Sequence, residues 1–116
     1  MAMTPEKKVK QRVVNLLKEL DDVYYFFPAT GGYGRSGVPD IVVCYKGMFY
    51  GIECKAGSNK ATALQTRELE NINAAEGVAW VVNEDNVDSV LGVLKTREHD
   101  GPRRKSWQQL VLDLED

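Results

Sequence analysis

Three charged side chains interrupt a pair of apolar runs, and their residue types are those that metal-dependent catalysis uses. Asp40, Glu53 and Lys55 lie on either side of the dipeptide Lys46-Gly47, which is typical of the two-residue turn of a β-hairpin. Continuing the ladder away from that turn places Asp40 opposite Glu53. Lys55 points to the same side as Glu53, because side chains alternate along a strand. A three-residue loop would instead shift the register and separate the two acids.

Two opposed carboxylates repel each other and require compensation. Directly opposed residues on neighbouring strands have Cβ atoms about 4.5 to 5.5 Å apart, and like charges there destabilise the pair unless a positive charge lies between them. A divalent cation supplies that charge, and Mg²⁺ favours sites with one or two protein carboxylates and water. A lysine beside the ion can orient the nucleophile or a phosphate. The pattern predicts metal-assisted hydrolysis of a phosphodiester.

Composition bounds the class of protein. A chain of 116 residues, with 43% hydrophobic and 28% charged residues, is predicted to form one globular domain over 1–116. Its two cysteines form no CxxC motif, so neither a zinc site nor a disulfide framework is predicted. A net charge of -2 restricts any nucleic-acid contact to a local surface. The sequence contains no membrane-length apolar run and no signal peptide, so a cytoplasmic protein without a membrane partner is expected.

The hairpin is predicted to belong to an α/β fold, a mixed β-sheet flanked by helices. Thr4-Pro5-Glu6 has the residue types of a helix start and predicts a helix over 5–20. The segment 23–27 is either a short strand or a wall packed beneath the sheet. The two strands of the hairpin are expected over 39–45 and 48–55.

A second group of elements follows the hairpin. Thr62 and Gln65 have the spacing of a capping box, which predicts a helix from 62 to about 76 that Gly77 ends. Three further segments are predicted elements: a strand buried on both faces at 78–82, a surface helix at 84–95, and a strand or helix at 107–112.

In this setting the hairpin resembles a known nuclease motif. Pro39-Asp40, followed after twelve residues by Glu53-Cys54-Lys55, is similar to the PD-(D/E)XK motif. The glycine-rich segment 31–37 and Gln65 at the start of the next helix resemble the virus-type replication-repair nuclease branch, the VRR-NUC domain. The likeness spans roughly 6–82 and implies a restriction-endonuclease-like sheet. The short motifs are fairly specific when they are taken together.

The resemblance implies a metal site on the hairpin. Asp40 and Glu53 would bind Mg²⁺ or Mn²⁺, helped by the backbone carbonyl of Cys54. Glu6 matches a first-helix glutamate that often joins the site in this family, although an acid there also stabilises the positive end of a helix. For the strand charges, the structural alternative is a surface salt bridge.

Two further residues are implied to act in catalysis. Lys55 would position the attacking water or the phosphate, and Gln65 would orient Lys55 or the substrate. The capping box with Thr62 is an alternative role for Gln65 that requires no catalysis.

DNA contacts are expected around the entry to the hairpin. Tyr33, Arg35 and Ser36 precede Asp40, where backbone amides and a guanidinium can bind a phosphate, although the loop can also be a plain connector. Lys60, after the hairpin, is a further expected DNA contact. The basic segment 103–105 is interpreted first as a solvated tail.

Stand-alone viral and bacterial members of the family are compact homodimers that cut branched DNA such as four-way (Holliday) junctions. The resemblance therefore implies a Mg²⁺- or Mn²⁺-dependent endodeoxyribonuclease that acts on branched DNA as a homodimer, in a bacterial or phage-infected cell. The alternative is a non-catalytic DNA-binding or scaffold module with a nuclease fold. A sequence-specific nuclease is less favoured, because the short chain leaves little room for a base-reading element.

Overall fold

The computed structural model describes residues 3–29 and 34–97. The elements are α1 (Pro5–Leu17), β1 (Val23–Phe26), β2 (Ile41–Tyr45), β3 (Met48–Cys54), α2 (Ala63–Ala74), β4 (Val78–Val82), a 3₁₀ turn (Val87–Ser89) and α3 (Val90–Arg97). They form a four-stranded sheet in the order β1-β2-β3-β4, in which only β3 and β4 are parallel. The predicted α/β fold with a mixed sheet is therefore confirmed.

Tyr33 and the segments 103–105 and 107–112 lie outside the described residues. Across the two described ranges, none of the helices has the length and apolar character that a membrane crossing requires.

α1 begins where the sequence predicts and ends earlier. Thr4 caps the helix, because its Oγ1 accepts a hydrogen bond from the Lys7 N–H at 3.2 Å, and Pro5 occupies the first position. The helix ends at Leu17 and not at residue 20. The N–H groups of residues 19 and 20 bond to carbonyls three residues back, both at 3.0 Å, so the final turn is tighter than an α-helix.

The hairpin has the predicted turn and the predicted register. Lys46 and Gly47 have φ angles of 52° and 82°, as the two central residues of a type I′ turn require. The ladder then runs to the pair Ile41 and Ile52, which is the register that the turn implies. β2 starts at Ile41 and not at residue 39, so Asp40 lies one residue beyond the ladder.

One face of the sheet packs against α1 and α3 and forms the main core. The hydroxyl of Tyr50 on β3 donates a hydrogen bond to the Leu94 carbonyl on α3 at 3.3 Å, across this interface. The core residues without exposed surface are Val13, Leu17, Ile41, Val43, Tyr50, Ile52, Cys54, Val82, Val90 and Leu94. The core therefore joins both strands of the hairpin to both helices.

The opposite face is covered by α2 over β3 and is more open over β1. A Cβ atom on Gly51 would lie 2.8 Å from Cδ1 of Ile72 on α2 and 2.9 Å from Cγ of Pro39, so the helix and the chain before β2 approach β3 closely. Tyr24 and Phe26 on β1 keep 68% and 46% of their surface exposed.

The prediction that 78–82 is buried on both faces is wrong. β4 is an outer strand of the described sheet, and only Ala79 and Val82 of its five residues are buried. Trp80 is half-buried and packs edge-to-face against Tyr50, with 6.4 Å between the ring centroids. The continuous apolar run at 78–82 thus belongs to an edge strand of the described sheet whose side chains are only partly covered.

At the end of α2, the residue that turns the chain is not the predicted one. α2 ends at Ala74, and Glu76 adopts the left-handed conformation with a φ of 70°, a role that the sequence assigns to Gly77. Gly77 is needed for space, because a Cβ there would lie 2.9 Å from Ile72 and 3.1 Å from the carbonyl oxygen of Phe49.

α3 begins at Val90, six residues later than predicted. The Asn86 side chain accepts a hydrogen bond from the Asn83 N–H at 2.8 Å, and the Asn83 side chain accepts one from the Asp85 N–H at 2.9 Å. These side-chain bonds compete with helical bonds and hold a turn. The prediction was based on the spacing of apolar residues, which does not take these side-chain hydrogen bonds into account.

Gly37 allows the loop before Asp40 to pack against the start of α2. Its φ is 79°, and a Cβ there would lie 2.6 Å from the backbone carbon of Leu64. We expect Gly37→Ala to lower the free energy of unfolding by about 1–2 kcal/mol through backbone strain and by a further 1–3 kcal/mol through the clash. Urea denaturation measures this loss.

The matched control for that substitution is Gly57→Ala. Gly57 also has a positive φ, 59°, but nothing lies within 4 Å of the added Cβ. The control should lose only the strain contribution of about 1–2 kcal/mol. Equal losses in the two variants would show that the close contact at Gly37 does not contribute to stability.

Candidate active site

Asp40 is held against the end of β3 by its side chain. Its Oδ2 accepts a hydrogen bond from the Cys54 backbone N–H at 2.8 Å. The bond continues the contact between the two strands beyond the last ladder pair, with a carboxylate in place of a backbone carbonyl. It fixes the Asp40 carboxylate beside the residue that directly follows Glu53.

Glu53 is a buried acid with an unsatisfied oxygen. Of the polar and charged residues in the described ranges, only Glu53 is buried, with 2% of its surface exposed. Its Oε1 has no hydrogen-bond partner in the described structure. Burial, and then the negative charge of Asp40, raise the pKa of Glu53 to about 8. The folded chain thus holds a carboxyl that favours a proton or a cation.

Lys55 connects the hairpin to α1. Its Nζ lies 3.7 Å from Oε2 of Glu53 and 3.6 Å from Oε1 of Glu6. The Lys55 side chain is only 12% exposed, whereas that of Glu6 is 49% exposed. The ammonium therefore lies between one buried and one accessible carboxylate, and Glu6 lies at the rim of the cluster.

The donor set fits a small divalent cation. The Oε1 of Glu53 lies in a cluster where, among the described residues that act on it, the acids Asp40 and Glu6 are accompanied by one ammonium, that of Lys55. Within 3–29 and 34–97, no group of three His, Cys, Asp or Glu side chains is placed to hold a metal. An ion here would thus use two carboxylates, backbone oxygen and water, as Mg²⁺ does.

The thiol of Cys54 is unsuited to metal binding. Burial, followed by the negative charges of Asp40 and Glu53, raises the pKa of this thiol to about 12. Because side chains alternate along β3, this buried thiol also points to the core face, away from the Glu53 carboxylate. The part in a metal site that the resemblance implies for Cys54 uses its backbone carbonyl, and it stays a prediction.

Gln65 forms the predicted capping box at the start of α2. Its Oε1 accepts a hydrogen bond from the Thr62 N–H at 2.9 Å, and its own N–H donates to Oγ1 of Thr62 at 3.2 Å. The described structure contains no hydrogen bond between Gln65 and Lys55. The capping role is thus observed, and the catalytic role stays a prediction.

Arg35 anchors the loop before Asp40 to α2. Its Nε and Nη2 donate to the two carboxylate oxygens of Glu68, each at 2.9 Å. The hydrogen bonds from Arg35 lower the pKa of Glu68. The Arg35 side chain remains 73% exposed. Ser36 and Lys60 are exposed as well, so these three predicted DNA contacts are accessible to a ligand.

Two contacts that position Lys55 were not predicted from the sequence. The Lys55 N–H donates to the Val82 carbonyl at the end of β4, at 2.9 Å. The Glu84 carboxylate accepts a hydrogen bond from the Gly57 N–H at 2.6 Å. Together they tie the segment after β3 to the end of β4. A lone exposed glutamate gives no sequence signal of such a role.

This chain resembles known proteins in both fold and sequence. A solved structure described as "VRR_NUC domain protein" matches it with a TM-score of 0.62 and 20% sequence identity, over 81% of this chain and 88% of the other. "Putative nuclease p44" of Acyrthosiphon pisum secondary endosymbiont phage 1 is 28% identical over 92 residues, which cover 78% of this chain and 96% of that protein. No family model matches the chain. The resemblance to the VRR-NUC domain is therefore confirmed at the level of the fold.

Glu53 should make the stability of the metal-free protein depend on pH. The pKa of its carboxyl is about 8 in the folded chain and near 4.5 when unperturbed, so between these values the folded state holds a proton that the unfolded state releases. The free energy of unfolding should therefore fall as the pH rises through this window, by at most about 1.4 kcal/mol per pH unit.

Urea denaturation in EDTA, from about pH 5 to about pH 8, measures that slope. Glu53→Gln should flatten it, because the variant has no titrating group at this position. Glu70→Gln, at an exposed position on α2, is the matched control and should keep the parental slope. If Glu53→Gln retains the slope, other groups are responsible for it.

Proposed function

We propose that this chain is a metal-dependent DNA endonuclease that hydrolyses phosphodiester bonds at the Asp40, Glu53 and Lys55 cluster. The observation that carries the proposal is the buried Glu53 carboxyl, whose Oε1 has no hydrogen-bond partner among the described residues although a second acid and a lysine lie beside it. The VRR_NUC fold and the similarity to a phage protein named as a nuclease support the same activity.

Asp40 and Glu53 would hold Mg²⁺ or Mn²⁺, with the Cys54 carbonyl as a further oxygen donor and Glu6 at the rim. When bound, such an ion stabilises negative charge on the phosphate and lowers the pKa of a coordinated water. The hydrogen bond from the Cys54 N–H orients one Asp40 oxygen and leaves the other for the ion.

Lys55 would bind a phosphate oxygen or the attacking water by charge. Its ammonium is held between Glu53 and Glu6, and its backbone is tied to Val82, so the side chain has little freedom to turn away. Of its two carboxylate partners, Glu6 is the more exposed, with 49% of its side-chain surface accessible against 2% for Glu53. A phosphate would therefore reach the Lys55 ammonium by displacing Glu6, while Glu53 stays in place.

Branched DNA, such as a four-way junction, is the substrate that we propose, with a homodimer as the active form. A two-fold symmetric enzyme presents two identical sites, which matches the symmetry of a junction with two strands to cut. The net charge of -2 supports recognition by a local surface and by the spacing of the two sites, not by bulk attraction to DNA.

Cleavage of labelled four-way junction, flap and linear duplex tests this function. With Mg²⁺ or Mn²⁺ we expect the junction to be cut fastest, and EDTA should stop cleavage. Asp40→Asn and Lys55→Ala should each lower the rate by about 100-fold or more, because each removes a charge that stabilises the transition state. Initial rates on gels measure this.

Lys18→Ala is the matched control, since Lys18 is an exposed lysine at the far end of α1. It should cut at the parental rate. No cleavage with either metal, or parental rates in Asp40→Asn and Lys55→Ala, would refute the catalytic proposal. Junction binding without any cleavage would favour the non-catalytic DNA-binding module.

Substitutions of Arg35 and of its partner Glu68 distinguish two roles of Arg35, contact with DNA and anchoring of the loop. We expect Arg35→Ala to weaken junction binding and to lower the number of ions released by about one, because a phosphate contact is lost. Glu68→Gln breaks the same ion pair but keeps the guanidinium, so it should preserve binding. Fluorescence anisotropy in EDTA over a range of salt concentrations measures both. Equal losses in the two variants would show that Arg35 only anchors the loop.

A further inference from the structure

The two edge strands of the described sheet differ in whether side chains bond to their outward backbone groups. At the β4 edge, Asn73 donates to the Ala79 carbonyl at 3.0 Å and accepts from the Ala79 N–H at 2.8 Å. Asn86 donates to the Val81 carbonyl at 3.0 Å. Side chains therefore occupy three outward backbone groups of β4, which hinders pairing with another strand along this edge.

The β1 edge has no such protection in the described part of the chain. β1 pairs with β2 on one side, and within 3–29 and 34–97 neither a strand nor a side chain bonds to its other side. Edge strands are usually guarded by charged residues, proline or bulges. Val23–Phe26 contains only Val, Tyr and Phe, so the strand is suited to pairing.

Aromatic side chains at this edge are exposed to an unusual degree. Tyr24, Phe26 and Phe27 expose 68%, 46% and 48% of their surface. An aromatic side chain buries about 150–250 Å² when it is covered, so these three offer on the order of 300 Å² per protomer. Two copies would bury about 600 Å² from them alone, half of what the smallest specific interfaces require, before the backbone ladder is counted.

We propose that β1 pairs with β1 of a second copy of this chain to form a continuous eight-stranded sheet. An antiparallel pair about a two-fold axis is self-complementary, so the open edge of one protomer satisfies the same edge of its partner. With the axis near Tyr24 or Tyr25, the acids Asp21 and Asp22 lie at opposite ends of the pair. Like charges are kept apart, and cross-strand aromatic pairs form at the centre.

The proposed interface deepens the proposed function. It rests on that function only where the two Asp40, Glu53 and Lys55 clusters are taken as catalytic sites. A two-fold axis perpendicular to the sheet keeps both candidate sites on the same face. Strand spacings of about 4.8 Å and rises of about 3.4 Å per residue then put the two Glu53 residues about 35 Å apart. Two sites so arranged can reach two strands of one branched DNA.

Light scattering coupled to size-exclusion chromatography of the full chain tests the interface. The parent should have twice the 13.0 kDa chain mass, and Tyr24→Lys with Phe26→Lys should be monomeric, because charged edge residues prevent strand pairing. Leu64→Lys is the matched control, since Leu64 is 56% exposed on α2 and away from β1, and it should remain dimeric. Circular dichroism establishes that each variant is folded.

Hydrogen exchange provides a readout that does not depend on the variants. In the parent, amides of 23–26 should exchange more slowly as the protein concentration rises. A parent that is monomeric at about 100 μM, or a dimer that the double substitution leaves intact, overturns the proposal. A monomer with protected amides at 23–26 also overturns it and would assign this edge to another segment of the same chain.

Junction cleavage by the same variants separates the two proposals. We expect the folded monomeric variant to lose paired cuts while it keeps single-strand nicking. A dimer that cuts nothing with Mg²⁺ or Mn²⁺ refutes the nuclease and supports the interface. A parent that makes paired cuts as a monomer refutes the interface and supports the nuclease.

Discussion

The hydrogen bond between the Asp40 carboxylate and the Cys54 N–H joins the fold of this protein to its candidate chemistry. The β2–β3 ladder ends at Ile41 and Ile52, and the bond takes the place of the next ladder contact. It therefore depends on the hairpin register, which the turn at 46–47 sets. A shift of one residue would turn the acid to the other face of the sheet, and neither the pair of carboxylates nor the setting of the lysine would exist.

The buried acid gives the site its chemical character. Removing a carboxyl from water is costly unless a counter-charge accompanies it, and the one ammonium in the cluster is shared between Glu53 and Glu6. The negative charge of Glu53 is therefore only partly compensated. This shows in the raised pKa of Glu53 and in its Oε1, which has no hydrogen-bond partner among the described residues. In a purely structural salt bridge, the positive charge would compensate the carboxylate fully. The arrangement thus favours a functional site over the surface ion pair that the charges alone could also indicate.

The rest of the fold limits how far the site can move. Gly37 fits against the start of α2, and Arg35 is clamped to Glu68, so the chain entering β2 is fixed at two points. On the other side, the hydrogen bond from Gly57 to Glu84 fixes the chain leaving β3. Rigid supports on both flanks are what preorganised catalysis requires, because small displacements of charged groups lower transition-state stabilisation steeply.

Features that depend on neighbouring residues could be predicted from the residue types alone: the start of α1 at Thr4, the capping box, and the hairpin turn with its register. These depend on local backbone preferences and short hydrogen bonds, which residue types fix directly. The burial of Glu53, the contact of Glu6 with Lys55, and the place of β4 at an edge of the described sheet follow from how the chain packs. Burial and ion pairing depend on which distant segments pack together, and no local pattern in the chain encodes that choice.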